Sequence, residues 1–349
     1  MKKEYLVSII VLNYNAGKLL IDCIDSLKKS KYKNLEIIVV DNISSDRSHI
    51  ECKEKFPEIK LIQNQENLGY CGGNNIGIKE AKGEFIVILN PDTIVENNWV
   101  EELIFAYEKF GDGLYQPQIL SLNEENIIQS TGNMLHVFGF GFARDKGKKI
   151  SDERGEIEKI GYASGTCLFT TRSVLEKVGL LDEFLFLYHD DLDLGWRAAQ
   201  IGINSYYVPK SKIFHVESYS LKWSAKKFYW LERNRKYCLL THYSKKTYKK
   251  MRFSLMLVDL FVWAFYFSKG FLGAKIKAEL DIRKNKKIIE KKYFELEKLK
   301  VISDEKLIEN FPDEIFVPIN VSQQSMNQTF NTILTNLSKK VKKNIQLRI

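Results

Sequence analysis

The sequence predicts an α/β protein: a mostly parallel sheet with helices on both faces, continued by a mainly helical C-terminal extension. Two observations carry the first part. Through residues 6–120, apolar runs of strand length alternate with stretches of helical spacing, the βαβ pattern of a parallel sheet covered on both faces. Phe85–Leu89 is apolar at every position, as a central strand buried on both sides must be. The third observation is charge. Residues 1–200 hold 23 Lys/Arg against 31 Asp/Glu, and residues 201–300 hold 24 against 8, within a chain of net charge +9. These features predict a domain over residues 1–220 and a basic, aromatic-rich helical extension over 221–349.

Taken in order, Leu6–Leu12 is apolar and β-branched and reads as the first strand. It is too short for a signal-peptide core, and no cleavage site follows it. Leu19–Leu27 has helical spacing, and Leu35–Val40 is a strand ending in Asp41-Asn42. Asp46–Phe56 reads as a helix with Ser44, Ser45 or Asp46 as its N-cap. Ile59–Ile62 is a short strand, Asn74–Lys82 a helix, Phe85–Leu89 the central strand and Trp99–Phe110 another helix. Residues 121–160 read as a long loop, a lid or binding segment or plain disorder. Tyr162–Thr170 reads as a strand, Arg172–Val178 as a short helix, and Ser205–Val208 as a strand closed by a turn at Pro209.

Three polar stretches follow strands: Asn13-Tyr14-Asn15, Asp41-Asn42 and Asn90-Pro91-Asp92. In a parallel sheet these ends share one edge, where open α/β sheets bind ligands. Pro91 cannot donate to a ladder, so the central strand stops there. Asp92 then offers a carboxylate for a divalent cation that can hold a diphosphate; the alternative is a turn residue capping the next helix. Asp41 can accept hydrogen bonds from a nucleobase or ribose, or serve as a turn residue. Asn67-Leu-Gly-Tyr-Cys-Gly-Gly-Asn-Asn reads as a glycine-rich loop whose backbone can approach a ligand, with a helix amino end behind it. It spells neither G-x-G-x-x-G nor a P-loop, and a tight loop without a ligand is the alternative.

Asp190-Asp191-Leu192-Asp193 follows an apolar aromatic run. On a helix Asp190 and Asp193 share a face and Asp191 points elsewhere. Close carboxylates repel, which raises a pKa and suits general-base work. Dipole-favoured acids at a helix amino end, with Asp193 pairing Arg197, are the alternative. His215 is either structural or a metal ligand beyond a strand end.

The extension interleaves Trp223, Tyr229, Trp230, Tyr237, Tyr243 and Tyr248 with Lys226, Lys227, Arg233, Arg235, Lys236, Lys245 and Lys246. Leu255–Phe267 is apolar but for Asp259, shorter than the ~20 residues of a membrane span. Helices lying in a membrane interface fit this pattern, aromatic side down and basic side towards headgroups. Single-stranded nucleic acid also takes basic residues with aromatics, but the apolar run argues against it, and no nucleic acid is expected. A buried core helix or an oligomer contact is the plainer alternative. The five cysteines are an odd number without a C-x-x-C pair, which favours free thiols in a reducing compartment over a disulfide frame or a zinc site.

Val7-Ser-Ile-Ile-Val-Leu-Asn-Tyr-Asn, Val39-Val-Asp-Asn-Ile-Ser-Ser-Asp, the run from Asn67, Leu89-Asn-Pro-Asp-Thr, Tyr188-His-Asp-Asp-Leu-Asp-Leu-Gly-Trp-Arg and Phe214-His-Val occur in this order. Together they resemble glycosyltransferase family 2, with its Rossmann-like, inverting GT-A fold, and within it a bacterial rhamnosyltransferase-like branch. The resemblance covers about residues 5–220. It implies a nucleoside-diphosphate sugar donor (dTDP-rhamnose or a UDP-sugar), a glycan acceptor, lipid-linked, in cell-surface polysaccharide assembly, and a divalent cation, Mn²⁺ or Mg²⁺. Asp41 would bind the donor's base beside Asn13 and Asn15. With Asn67, Gly72, Gly73, Asn74 and Asn90 these are the candidate donor-binding residues. Asp92 resembles the metal ligand of the Asp-x-Asp motif, His215 the later metal or diphosphate ligand, and Asp191 the catalytic base, with Asp190 beside it. Asn90 stands for the first Asp of Asp-x-Asp, and Asp190 stands where Glu is usual, so the base lies between Asp190 and Asp191. The expected setting is the cytoplasmic face of the cell membrane, with peripheral attachment to its anionic surface and with a homo-oligomer as an open alternative. A nucleotidyltransferase and a non-catalytic glycan-binding scaffold are the rival functions.

Overall fold

The computed structural model describes residues 4–152, 154–216, 224–315 and 324–346. In chain order the elements are β1 (Val7–Asn13), α1 (Lys18–Lys29), β2 (Leu35–Asp41), α2 (Ser48–Lys55), β3 (Lys60–Gln63), α3 (Gly69–Glu80), β4 (Phe85–Leu89), β5 (Thr93–Val95) and α4 (Trp99–Phe110). Then come β6 (Leu114–Ser121), β7 (Ile128–Ser130), β8 (Asn133–Leu135), β9 (Gly141–Ala143), β10 (Glu158–Ile160), β11 (Cys167–Thr171), α5 (Arg172–Val178), α6 (Asp190–Gln200) and β12 (Ser205–His215). Six helices follow: α7 (Ala225–His242), α8 (Lys245–Ser268), α9 (Leu272–Lys284), α10 (Lys286–Leu299), α11 (Asp304–Glu309) and α12 (Gln324–Gln346). The chain divides into two compact units. The first takes residues 1–133, 143–195 and 203–219; the second takes 134–142, 196–202 and 220–349.

The first unit is built on one sheet of order β10-β12-β6-β11-β4-β1-β2-β3, with β5 on β12 and β7 on β6. β1 is buried at all seven positions, as a central strand covered on both faces must be, and it lies between parallel β2 and β4. The α/β architecture is as the sequence predicts, but the sheet is mixed: β11 runs antiparallel between β4 and β6. Hydrophobic periodicity carries no information on strand direction, so alternation alone could not reveal this. The reversal has a consequence. The carboxyl ends of β1, β2, β4 and β12 all lie at one edge, and the amino end of antiparallel β11 lies there too.

Residues 121–160, read as loop, contain β7 to β10. β12 continues past Pro209, with a shift of register between Val208 and Lys212, so His215 ends the strand itself. α3 begins at Gly69, inside the stretch read as a glycine-rich loop. Gly72 and Gly73 are therefore helical. A Cβ on Gly73 would meet Leu12 Cδ1 at 2.3 Å and the Asn42 side chain at 3.0 Å. Gly73 lets the helix approach the sheet closely, whereas a Cβ on Gly72 would meet Leu68 Cβ at 2.8 Å.

In the second unit α7 is a core helix. Tyr237 and Tyr243 are buried. Phe228 packs against Phe265, Tyr266 and Phe271, and Tyr266 Oη donates to the Phe228 carbonyl at 2.7 Å. Lys275 is fully buried, its Nζ bonded to Glu232 Oε1 (2.6 Å), Asp259 Oδ1 (2.7 Å) and Glu279 Oε1 (2.7 Å). Arg235 makes a two-pronged pair with Glu232 and donates to the Phe138 carbonyl. Phe228, Arg235 and Tyr237 of α7 are thus inner packing and ion pairs, while Lys226 is exposed. Trp223 and the boundary at residue 220 lie outside the described residues. The apolar run 255–267 lies within the 24 residues of α8, the one helix among the described residues long and apolar enough to cross a membrane by length and composition. Judged on the run alone, it was too short.

Candidate active site

The site assembles at the sheet edge where the strand ends converge. Its first wall is the ends of β1 and β2, where the register sets Asn13 beside Asp41. Both are buried. Asn13 Nδ2 donates to Asp41 Oδ1 (2.7 Å) and Ser48 Oγ (2.9 Å), and the Ser44 amide donates to Asp41 Oδ2 (2.9 Å). His49 Nδ1 stands 3.4 Å from Asp41 Oδ1. Asn15, at φ 54°, accepts through Oδ1 from the Ser45 amide (2.8 Å). Asp41 and the asparagines therefore hold the β1–α1 and β2–α2 loops to each other. The N-cap of α2 is Arg47, at φ 61° and without a side-chain cap bond, in place of the Ser44, Ser45 or Asp46 expected; Asp46 accepts from the Ser48 amide just before the helix (3.0 Å). Tyr14 and Ile43 are the exposed large apolar side chains of this wall, and they flank the residues named from sequence.

The amino end of α3 forms the floor. Asn67 Oδ1 accepts from the Gly69 amide (2.9 Å), and Asn42 Nδ2 donates to the Gly69 carbonyl (2.9 Å). Gly69 has φ 69°, and a Cβ on it would fall 2.5 Å from the Phe186 carbonyl oxygen. That oxygen accepts from the Tyr70 amide at 2.6 Å. Asn74 donates to the Tyr70 carbonyl (2.9 Å), while its buried Oδ1 has no hydrogen-bond partner among the described residues.

Asp92 lies just past β4. β5 follows at once and pairs with β12, Thr93 opposite His215, which brings His215 Nε2 to 3.4 Å from Asp92 Oδ1. The two residues named from sequence as metal ligands thus meet, although 123 positions separate them. Gln129 orients the imidazole: its Nε2 donates to the His215 carbonyl (2.9 Å), so its Oε1 accepts from Nδ1 (2.8 Å). That arrangement leaves Nε2 facing the Asp92 carboxylate. In the neutral ring this sets a nitrogen lone pair against an anionic oxygen, a donor set suited to a cation between them. The Asn90 amide donates to the Thr166 carbonyl (3.0 Å), and its carbonyl accepts from Thr93 Oγ1 (2.8 Å).

Asp190 and Asp191 open α6. The approach is strained: Phe186, Tyr188 and His189 have φ of 63°, 67° and 61°, a conformation that costs about 1–2 kcal/mol for each non-glycine residue. The bond from α3 to the Phe186 carbonyl helps hold it. Asp190 is buried, whereas Asp191 is partly exposed. Asp191 accepts from the Gly165 amide (Oδ2, 3.0 Å) and the Leu192 amide (Oδ1, 2.8 Å). Burial raises both carboxyl pKa values, and the Asp191 charge pushes Asp190 further, well above the carboxylate range. The helix dipole opposes this by only ~0.3–1 kcal/mol. Asp190 is thus the partner that keeps its proton. Asp191, with two amides on its anionic oxygens, is the one available as a base.

Sequence reasoning missed Tyr70, Gly165 and Gln129. Tyr70 Oη donates to the Gly165 carbonyl (2.5 Å), and burial with the two aspartates raises its pKa well above the phenol range, so it stays a donor. The Gly165 peptide is held at both ends, by Tyr70 and by Asp191. A Cβ on Gly165 would lie 2.9 Å from Tyr70 Oη and 3.2 Å from Asp190 Oδ2. The small residues of Tyr162-Ala-Ser-Gly-Thr were the available signal, but they read as strand.

Residues 8–179 match the profile of the family described as Glycosyl transferase family 2. The low-salt glycan biosynthesis hexosyltransferase Agl10 of Haloferax volcanii is 27% identical over 205 residues, 57% of this chain and 63% of that protein. The N-acetylglucosaminyl-diphospho-decaprenol L-rhamnosyltransferase of Mycobacterium tuberculosis is 26% identical over 238 residues, 61% of this chain and 76% of the other. The chain therefore spans less than two thirds of the Haloferax relative. Among solved structures, GalNAc-T7 with UDP, GalNAc and Mn²⁺ superposes with TM-score 0.58 at 18% identity, over 72% of this chain and 50% of that one.

Proposed function

From the match of residues 8–179 to glycosyl transferase family 2, we propose that the chain transfers a sugar from a nucleoside-diphosphate sugar to a hydroxyl of a glycan acceptor, with inversion. The observation that carries this reading is the meeting of Asp92 and His215 at the sheet edge that also bears the amide-held Asp191. Asp92 and His215 are the residues that would hold a divalent cation, which when bound supplies positive charge to the leaving diphosphate. GalNAc-T7 was solved with Mn²⁺, and a nitrogen–oxygen donor pair suits that ion.

The remaining steps belong to the chain itself. Asp191 receives the acceptor hydroxyl proton as the oxygen attacks, a contribution of typically ~10²–10⁴-fold. Asp190, protonated and buried, keeps a second negative charge out of the site. Attack opposite the departing diphosphate inverts the anomeric carbon. The donor is dTDP-rhamnose or a UDP-sugar, and the acceptor is lipid-linked, in keeping with the rhamnosyltransferase relative. We further propose the cytoplasmic face of a membrane as its setting, a reading supported by five buried cysteines, an odd number without a C-x-x-C pair, and by the cationic excess of residues 201–300.

The test is to incubate the full chain with a panel of nucleotide sugars and Mn²⁺ and identify the nucleotide released. Free nucleoside diphosphate is expected, lost in Asp191→Asn while donor binding persists. Release of pyrophosphate instead would point to a nucleotidyltransferase.

A further inference from the structure

α8 has two faces. Met251, Ser254, Val258, Val262 and Tyr266 are buried in the second unit. Turned away from them is a second row at helical spacing that begins with exposed Lys246 and Lys249. It continues through Phe253 (60% exposed), Met256 (53%), Leu260 (59%) and Phe267 (72%). An amphipathic helix of a soluble fold has one apolar face; this one has a second, facing outward along ~21 Å of helix. Exposed apolar rows of this size mark a binding surface.

We propose that this outward row of α8 lies in the interface of an anionic phospholipid bilayer, its apolar side chains among the upper acyl chains and Lys246 and Lys249 against the phosphates. The inference deepens the membrane attachment proposed above and rests on it. Charge selects the occupant. Residues 201–300 carry 24 Lys/Arg against 8 Asp/Glu, so a second copy meeting the row through its own α8 would bring like charge to like, whereas an anionic surface attracts it. The helix lies in the plane and does not span. Its inner face is committed to protein: Tyr266 bonds to Phe228, and Asp259 bonds to Lys275 inside the three-carboxylate cluster. Moving α8 across a bilayer would strip those partners and leave charges uncompensated in hydrocarbon.

The test is sedimentation of the full chain with phosphatidylglycerol–phosphatidylcholine vesicles and with phosphatidylcholine vesicles, for wild type, Leu260→Asp, Phe253→Asp/Leu260→Asp and Lys246→Glu/Lys249→Glu. Wild type should bind the anionic vesicles at low salt, and both apolar variants should bind about tenfold or more weakly. Their melting temperature and nucleotide release in solution should be unchanged, since the altered side chains face outward. No binding of wild type at low salt overturns both the row and the membrane attachment. Loss in the lysine variant with full binding in the apolar variants overturns the row alone and leaves attachment by charge standing. A dimer in light scattering that dissociates on Leu260→Asp overturns the lipid in favour of a second copy. Nucleotide release, measured in parallel, reports on sugar transfer independently of all three.

Discussion

At the scale of single residues, the acid pair makes a prediction whose sign can be worked out. Burial and the neighbouring Asp191 charge raise the folded-state pKa of Asp190. A carboxyl raised above its unfolded value near 3.9 stabilises the fold fully below that value, and the contribution is lost as pH rises through the folded pKa. Asp190→Asn removes this loss. Its melting temperature should exceed that of wild type at pH 7, with the difference shrinking to nothing towards pH 4; a difference independent of pH would refute the assignment of the proton to Asp190. In wild type, the acid limb of the kcat/KM profile should lie above the ordinary carboxylate range, because burial raises Asp191 as well. His215 yields a second expectation. Mg²⁺ takes oxygen and keeps its waters, while Mn²⁺ accepts imidazole more readily. Activity should therefore be higher in Mn²⁺ than in Mg²⁺, and His215→Ala should lose most of that preference. Equal activity in both ions before and after the substitution would remove His215 from the ligand set.

At the scale of elements, β4, α4 and α5 have the bounds that their residues predict, because apolar runs and helical spacing are local signals. α3 was misread for a physical reason: glycine has poor helix propensity, and the helix forms because Gly73 and Gly77 fit against β1 and β2. Gly→Ala in an exposed helix gains about 1 kcal/mol. Here overpacking, at about 1–3 kcal/mol, should win. A Cβ on Gly77 meets Ile10 Cγ2 at 2.5 Å and Val40 Cγ2 at 3.0 Å, on β-branched side chains with little freedom. On Gly73 it meets the terminal Cδ1 of Leu12. Gly77→Ala should lower the urea midpoint more than Gly73→Ala, both with unchanged slope; a stabilised Gly77→Ala would contradict this packing. The residues of the site were legible singly, since Asp41, Asp92, Asp191 and His215 are polar groups after apolar runs. Their juxtaposition was not. Asp92 and His215 meet through a three-residue strand paired to the far end of another, and Tyr70 reaches Gly165 across 95 positions. Those are tertiary facts with no local pattern.

At the scale of the whole molecule, the question is what a segment with 24 Lys/Arg against 8 Asp/Glu attracts. In sequence, the aromatic and basic residues of 226–248 suit single-stranded nucleic acid as well as lipid. Stacking on aromatic rings contributes about 1–3 kcal/mol per base, but the rings must be available. Tyr237 and Tyr243 are buried, Tyr229 bonds Asp281 at 2.8 Å, and Trp230 lies under the Arg233 guanidinium at 4.9 Å. Arg233 and Arg235 are themselves buried in ion pairs. What remains for an oligonucleotide is the surface lysines, a sequence-independent attraction that falls steeply with salt. The full chain should therefore bind a labelled oligothymidine weakly at low salt, as read by fluorescence anisotropy. That binding should vanish near physiological ionic strength and be indifferent to Leu260→Asp. Vesicle binding should behave differently: salt weakens its electrostatic part, while the apolar part that Leu260 contributes is not screened. If oligothymidine binding survives physiological salt while vesicle binding does not, the cationic segment is a nucleic-acid surface and the membrane assignment fails.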